Sequence, residues 1–184
     1  MLRRRAVLGA ALWPGLARAA VPEFSFSLRN GAGQVVTPAQ FRGRYLLVFF
    51  GYTRCPDICP ATLYRLAQAM SAVDPGGESF AAVFITLDPA HDSPQTVSRY
   101  AALFSPRIEG LSGSAAQVSA AVAAFHVYAR WPQGPAGPLR HSALIYVLGP
   151  QGGLAGVLPD GESMAALRQA LGRYHASRAA QAAP

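Results

Sequence analysis

The chain has 184 residues, of which 51% are hydrophobic and 14% are charged, and its formal net charge is +7. This is the composition of an ordinary globular protein, and the length suits one domain with a sizeable core. Four of the arginines (Arg3, Arg4, Arg5 and Arg18) lie in an N-terminal segment that we expect to be removed, which lowers the charge from +7 to +3. A charge of that size, with no basic and aromatic stripe, argues against a nucleic-acid partner.

Residues 1–19 read as a secretory signal peptide. A basic start precedes an apolar run at residues 6–16, and Ala17-Arg18-Ala19 is a small-x-small cleavage pattern. The paired arginines also suit twin-arginine export. The run is far shorter than the ~20 residues that span a bilayer, so an uncleaved membrane anchor is the weaker alternative and no stable membrane insertion is expected after cleavage. We therefore predict an exported, periplasmic protein, in a compartment where a disulfide can persist.

The remaining chain alternates between predicted strands and predicted helices. Residues 24–28 alternate in polarity and, after a turn, predict a hairpin with residues 34–36. Continuous apolar runs at 45–50, 80–87 and 142–148 predict strands that are buried on both faces. Shorter strands are expected at 108–111 and 154–158, an extended stretch at 126–131 and a loop at 132–138. Helices are expected from Pro60, from Pro94, over 114–125 with Ser114 as the cap, and over 162–175.

This order predicts an α/β fold with a mixed central sheet flanked by helices. The final strand-turn-strand-helix segment makes the end of that sheet antiparallel. We expect one domain over residues 20–176 and a disordered, alanine-rich tail over residues 177–184.

The only two cysteines, Cys55 and Cys59, lie between the first buried strand and its helix. Pro60 is expected at the first helical position, which makes Cys59 the N-cap residue and leaves Cys55 in the loop. Amide groups and the helix dipole at that place would lower a thiol pKa and favour the reactive thiolate. A structural disulfide, a redox pair and a metal site are all possible. A disulfide across so short a loop constrains the unfolded chain little, which favours chemistry.

Two thiolates and one imidazole would make a trigonal site that suits copper. The candidate histidines are His91, His126, His141 and His175. His175 lies near the predicted frayed end, and His126 is interpreted as a partly buried structural histidine. His91 follows a strand, whereas His141 ends the proline-rich loop and opens a buried strand, which makes it the most interesting of the four.

Four motifs together resemble the Sco/SenC family of copper-binding, thioredoxin-like proteins. They are GYTRCPDICP from Gly51, ITLDPAHDSP from Ile85, FSPRIEGLSG from Phe104 and RHSALIYVLGPQG from Arg140. The resemblance runs from about Phe24 to Tyr174. It implies a thioredoxin-like fold with an N-terminal β-hairpin extension, and one copper ion, Cu(I) or Cu(II), bound by Cys55, Cys59 and His141. It further implies a role in assembling the dinuclear copper site of cytochrome c oxidase, by copper delivery, by reduction of the target's cysteines, or both.

The chain departs from the family in two places. Many members carry an acidic residue just before the ligand histidine, where this chain has Arg140. Many members also keep an N-terminal transmembrane helix, where this chain has a short export signal. We interpret Arg130 and Arg140 as solvated charges, with an acidic partner as the alternative.

Three carboxylates are candidates for supporting roles around the metal ligands. Asp57 lies between the cysteines, where it could contribute negative charge or simply cap the helix. Asp88 and Asp92 follow the second buried strand, where a carboxylate could orient a ligand. For Asp92 we prefer a role in capping the helix that begins near Pro94.

Competing functions remain open at this point. The first is a copper metallochaperone in which the cysteine pair also undergoes redox chemistry, with an oxidase subunit or another copper or thiol protein as its partner. The second is a thiol–disulfide oxidoreductase or redox sensor that needs the cysteines but not His141. The three residues between the cysteines argue against ordinary thioredoxin chemistry. A monomer is the default expectation.

Overall fold

The computed structural model describes residues 23–130 and 139–182. The predicted signal peptide and the predicted loop at residues 132–138 lie outside the described residues. No helix in the described ranges is both long and apolar enough to cross a membrane.

Over the described residues, the central sheet has five strands. Its parallel part consists of β3 (Tyr45–Gly51), β4 (Phe80–Thr86) and β5 (Ile108–Leu111). The antiparallel part consists of β8 (Leu144–Leu148) and β9 (Leu154–Pro159). Every residue of β3 and β4 is buried, as their continuous apolar sequences require. The strands lie side by side in the order β5-β4-β3-β8-β9, and the predicted mixed sheet is confirmed.

Helices flank the central sheet and pack against its strands. They are α1 (Ile58–Val73), α2 (Pro94–Ala102), α3 (Ala115–Ala124) and α4 (Met164–Ala182). The ring of Phe84 on β4 stacks with Phe49 and packs against Tyr100 of α2, whereas Phe50 points to the other face and packs against Phe125. Helix α1 packs against α4. The buried rings therefore fill a core on both sides of the central strands.

Two small ribbons complete the fold. The predicted N-terminal hairpin is present as β1 (Leu28–Arg29) and β2 (Val35–Val36), followed by a 3-10 turn at Pro38–Phe41. The second ribbon pairs β6 (Ala129–Arg130) with β7 (Arg140–His141). His141 therefore lies on its own short strand, just before the buried strand that the sequence predicts it to open.

Two predicted helix boundaries are wrong. Helix α1 begins at Ile58, before Pro60, because a proline is tolerated in the first helical turn, where the amide has no partner within the helix. Helix α4 continues to Ala182, through residues that we predicted to be a disordered tail. Alanine is the best helix former, and the Arg178 Nε donates to the Gly43 carbonyl at 2.9 Å, which anchors the extension to the domain.

Candidate metal centre

The two cysteines lie at the carboxyl end of β3 in different environments. Cys55 is half-buried in the loop, and Cys59 is fully buried in the first turn of α1. The Cys59 amide donates to the Cys55 Sγ at 3.4 Å, and neither sulfur forms a disulfide. The loop and helix start thus place one accessible sulfur beside one enclosed sulfur.

Gly51, the last residue of β3, makes room for the enclosed sulfur. A Cβ at this position would lie 2.7 Å from the Cys59 Sγ and 2.8 Å from a ring carbon of Phe84. Both distances are far below van der Waals contact, which is about 3.5–4.0 Å for carbon atoms. The absence of a side chain therefore lets the sulfur pack directly against the strand.

The acidity of Cys59 differs from the prediction. Burial raises the pKa of Cys59 well above its ordinary value; a backbone hydrogen bond involving Tyr52 opposes this, and nearby Cys55 adds to it. The expectation of a lowered pKa is wrong for this thiol, because it lies inside the first helical turn and away from solvent. In the metal-free protein Cys59 is therefore a neutral thiol near pH 7.

His141 is the histidine that the structure brings to the cysteines. Its Nε2 lies 3.9 Å from the Cys59 Sγ, and its Nδ1 lies 3.0 Å from the Ser142 carbonyl oxygen. If Nδ1–H donates to this carbonyl, Nε2 presents a lone pair toward the sulfur. The Tyr52 ring stands nearly perpendicular to the imidazole, with centroids 6.2 Å apart.

The Cys59 and His141 pair has a separation that fits two ligands of one ion. With bonds of about 2.3 Å to sulfur and about 2.0 Å to nitrogen, as in zinc sites, an angle of about 120° places the two donors about 3.7 Å apart. Two sulfurs and one imidazole nitrogen form a soft donor set that suits copper. In the described part of the chain, no three side chains of the ligand types lie close enough together to hold a metal ion. Cys55 therefore has to move towards Cys59 and His141 before all three can bind one ion.

The other histidines make contacts elsewhere. The His91 Nδ1 lies 2.9 Å from Asp88, and the His175 Nδ1 lies 2.8 Å from the hydroxyl of Ser79, directly before β4. The His126 side chain is 69% exposed and lies 3.7 Å from Glu23. The interpretation of His126 as a partly buried structural histidine is therefore wrong.

Asp92 holds the cysteine loop rather than capping a helix. Its buried carboxylate accepts the Thr53 amide at 2.9 Å, the Thr53 hydroxyl, and the Thr86 hydroxyl at 2.7 Å. The cap of α2 is Ser93, which accepts the Thr96 amide, so the preferred capping role for Asp92 is wrong. Asp92 thus ties the residue two positions before Cys55 to the end of β4.

Asp88 supports the same loop through Arg54. The Arg54 Nη2 donates to this buried carboxylate at 2.7 Å, and the His91 Nδ1 contacts the same carboxylate. Burial alone would raise the pKa of Asp88, but hydrogen bonds from His91 and Arg54 and their positive charge outweigh it and hold the pKa below its ordinary value. Asp57, by contrast, is exposed at the N-cap of α1 and makes no side-chain capping bond.

A fourth carboxylate near the site, Asp160, is not among the predicted residues. Asp160, directly after β9, accepts from the Thr62 hydroxyl and from the Arg65 Nη2 at 2.6 Å. It anchors the turn of α1 that follows Cys59. Thr62 on the buried face of α1 was the available signal, since a buried hydroxyl needs a partner.

Comparison with known proteins gives a family match over nearly the whole chain. The family model described as SCO1/SenC matches residues 17–176. Protein sco1 of Schizosaccharomyces pombe is 35% identical over 164 residues, which is 85% of this chain and 62% of that protein. The chain spans between about two fifths and three fifths of the length of these curated relatives.

Two solved structures with similar folds contain copper. Arabidopsis thaliana ScoI with copper bound has a TM-score of 0.77 at 28% identity, covering 86% of this chain and 99% of that one. Bradyrhizobium japonicum ScoI with copper bound has a TM-score of 0.72 at 31% identity, covering 83% of this chain and 99% of that one. The thioredoxin-like architecture predicted from the sequence is confirmed.

Proposed function

Because this chain belongs to the SCO1/SenC family, we propose that it is a copper metallochaperone. It binds one copper ion through Cys55, Cys59 and His141 and helps to assemble the dinuclear copper site of cytochrome c oxidase. The observation that carries the proposal is the pair formed by the Cys59 Sγ and the His141 Nε2, 3.9 Å apart beside Cys55. The copper-bound relatives support the same cargo.

Copper supplies no redox step in this proposal; it is the cargo. Thiolates bind it as soft ligands, and the buried Cys59 thiol has to lose its proton when copper enters. Because Cys55 and His141 are only half-buried, the site stays open to a protein that delivers copper or to one that receives it. Asp92 and Asp88 position the loop, and we assign them supporting roles for the ligands. Because the Asp57 side chain makes no capping bond, we assign it a contribution of negative charge near the start of α1.

The proposed setting is the one that the sequence predicts. The protein is exported to the periplasm and acts as a monomer on the copper-site subunit of the oxidase or on another copper or thiol protein. An oxidising compartment would close Cys55 and Cys59 into a disulfide unless a reductant keeps them open. Copper loading then depends on the thiol redox state.

A copper titration tests the proposal. The reduced protein from Ala20 onward is titrated against a competing chelator, alongside His141→Ala and the matched control His126→Ala. We expect one tightly bound copper in the wild type and in the control, and much weaker binding in His141→Ala. Equal affinity in all three proteins would remove His141 from the site, and no tight copper in the wild type would refute the chaperone function.

The asymmetry of the two sulfurs favours a second candidate function, thiol–disulfide exchange. The Cys55 sulfur is the accessible one of the pair, so it is the one that a partner disulfide can reach. As a thiolate, Cys55 would attack a partner disulfide and release one partner thiolate. Cys59, after losing its proton, would then displace the second, leaving an oxidised pair and a fully reduced partner. Disulfide reduction that survives His141→Ala while tight copper binding is lost would separate this activity from the chaperone function.

A further inference from the structure

We propose that the outer face of the β6–β7 ribbon docks a partner protein that presents carboxylates. We call this surface the arginine face; it consists of Tyr128, Arg130 and Arg140. The ribbon also carries His141, so a partner held there lies close to the proposed copper site. The identity of that site rests on the proposed function, whereas the docking surface itself rests on the geometry and charge described below.

The strand register places the arginines opposite one another and away from the cysteines. Ala129 pairs with His141, and Arg130 pairs with Arg140. Successive side chains on a strand point to opposite faces. Because His141 lies beside Cys59, both arginines belong to the outer face.

Tyr128 extends this face by one residue. The Ser142 amide donates to the Tyr128 carbonyl at 2.8 Å, so the pairing of the two segments continues beyond the ribbon. Tyr128 lies two residues before Arg130, which places it on the same face by alternation. Tyr128 is 56% exposed, so its ring is available to a partner beside the two arginines.

The charge on the arginine face is uncompensated within the described structure. Like charges that are directly opposite in a sheet destabilise the pairing. Both arginines are exposed, and over residues 23–130 and 139–182 neither forms an ion pair with a carboxylate. The buried carboxylates around the site are already engaged, Asp88 by Arg54 and Asp160 by Arg65. Carboxylates of a partner protein would pair with Arg130 and Arg140 and so reduce the repulsion between them.

The residue types also fit a protein partner. A guanidinium pairs with a carboxylate through two parallel hydrogen bonds, and tyrosine and arginine are enriched at the energetic centres of interfaces. An anionic lipid surface is the other chemistry to consider, but lipid-binding clusters usually contain about four to eight basic residues. Two arginines beside one exposed ring suit a compact acidic protein patch better.

A peptide titration without copper tests the inference. The probe is a short cysteine-free peptide rich in glutamate, and its twin has every glutamate replaced by glutamine. Each is added to the reduced, isotope-labelled protein from Ala20 onward while backbone amide shifts are followed by NMR. We expect the glutamate peptide to shift amides of the ribbon, with binding that weakens as salt is raised, and the glutamine peptide to shift none.

Substitutions then assign the effect to the arginine face. We expect the double variant Arg130→Gln/Arg140→Gln to bind the glutamate peptide about five- to tenfold more weakly. Arg173→Gln is the matched control and should bind like the wild type. Arg173 is exposed on α4, in the part of that helix that runs towards Arg178 and Gly43, away from the cysteine loop. The reversal Arg140→Glu should shift the preference towards a lysine-rich peptide.

Three outcomes would overturn the proposal. The first is equal binding of the glutamate and glutamine peptides, and the second is undiminished binding of the glutamate peptide by the double variant. The third is arginine-dependent binding to phosphatidylglycerol vesicles without any peptide binding, which would assign the arginine face to lipid. The titration contains no copper, so its failure leaves the chaperone proposal untouched. A copper titration of the double variant, which retains all three proposed ligands, checks that proposal separately.

Discussion

The substitution Gly51→Ala tests whether the absence of a side chain at this position makes room for the buried Cys59 sulfur. The new Cβ would lie 2.7 Å from the Cys59 Sγ and 2.8 Å from the Phe84 ring, so one of these groups has to move by about 1 Å to restore normal contact. Overpacking of this kind costs about 1–3 kcal/mol, and alanine recovers about 0.5–1 kcal/mol because it has less backbone entropy to lose than glycine. We therefore expect a net destabilisation of about 1–2 kcal/mol.

Urea unfolding of the reduced, copper-free protein measures the free-energy change, and a chelator competition measures the copper affinity. The displaced sulfur should also lower copper affinity by about tenfold, the lower end of the effect seen when residues that support metal ligands are changed. The control is Gly153→Ala, whose added Cβ meets no described atom within 4 Å and which does not have a positive φ. Unchanged stability and copper affinity in Gly51→Ala would refute the idea that this glycine makes room for the ligand.

Three further predictions concern the loop, the pH dependence and the redox state. Asp92→Ala leaves the Thr53 amide and the Thr86 hydroxyl without their acceptor; we expect a loss of about 2–4 kcal/mol in urea unfolding, and less than about 0.5 kcal/mol for the exposed Asp57→Ala. Burial would raise the pKa of Asp74, but amides of Ser79, Phe80 and Glu78 and the charge of Arg107 outweigh it and hold that pKa low. The contribution of the ionised Asp74 to the free energy of unfolding is therefore fully present above the unfolded pKa of about 4. It is lost as the pH falls through the lower pKa of the folded state. Unfolding free energy measured against pH should fall less steeply at acidic pH in Asp74→Asn; an unchanged slope would contradict this. Oxidation of Cys55 and Cys59 to a disulfide should abolish copper binding, and tight copper binding by the oxidised protein would refute the thiolate site.

Local patterns explain which parts of the fold could be predicted from the sequence. The apolar runs that became β3 and β4 admit few alternatives, and Ser114 followed by Gln117 forms the capping box that starts α3. The start of α1 could not be predicted from Pro60 alone, because a proline ring is compatible with several positions in the first helical turn. The error mattered chemically, since it moved Cys59 from a solvated cap to a buried position.

The contacts around the site could be predicted only in part because they join distant segments. Asp92 reaches Thr53 across 39 residues, and Asp160 reaches Thr62 across 98 residues. No local preference distinguishes such a carboxylate from a helix cap, so the sequence around Asp92 predicts capping instead. The pairing of His141 with Cys59 across 82 residues could be expected only from the family resemblance.

X-ray absorption at the copper edge of the loaded protein tests the central claim most directly, because it identifies the atoms bound to copper. We predict a first shell of two sulfurs and one imidazole nitrogen, with the nitrogen contribution lost in His141→Ala. A shell without both sulfurs, or one that is unchanged in His141→Ala, would contradict the assignment of Cys55, Cys59 and His141 as the copper ligands.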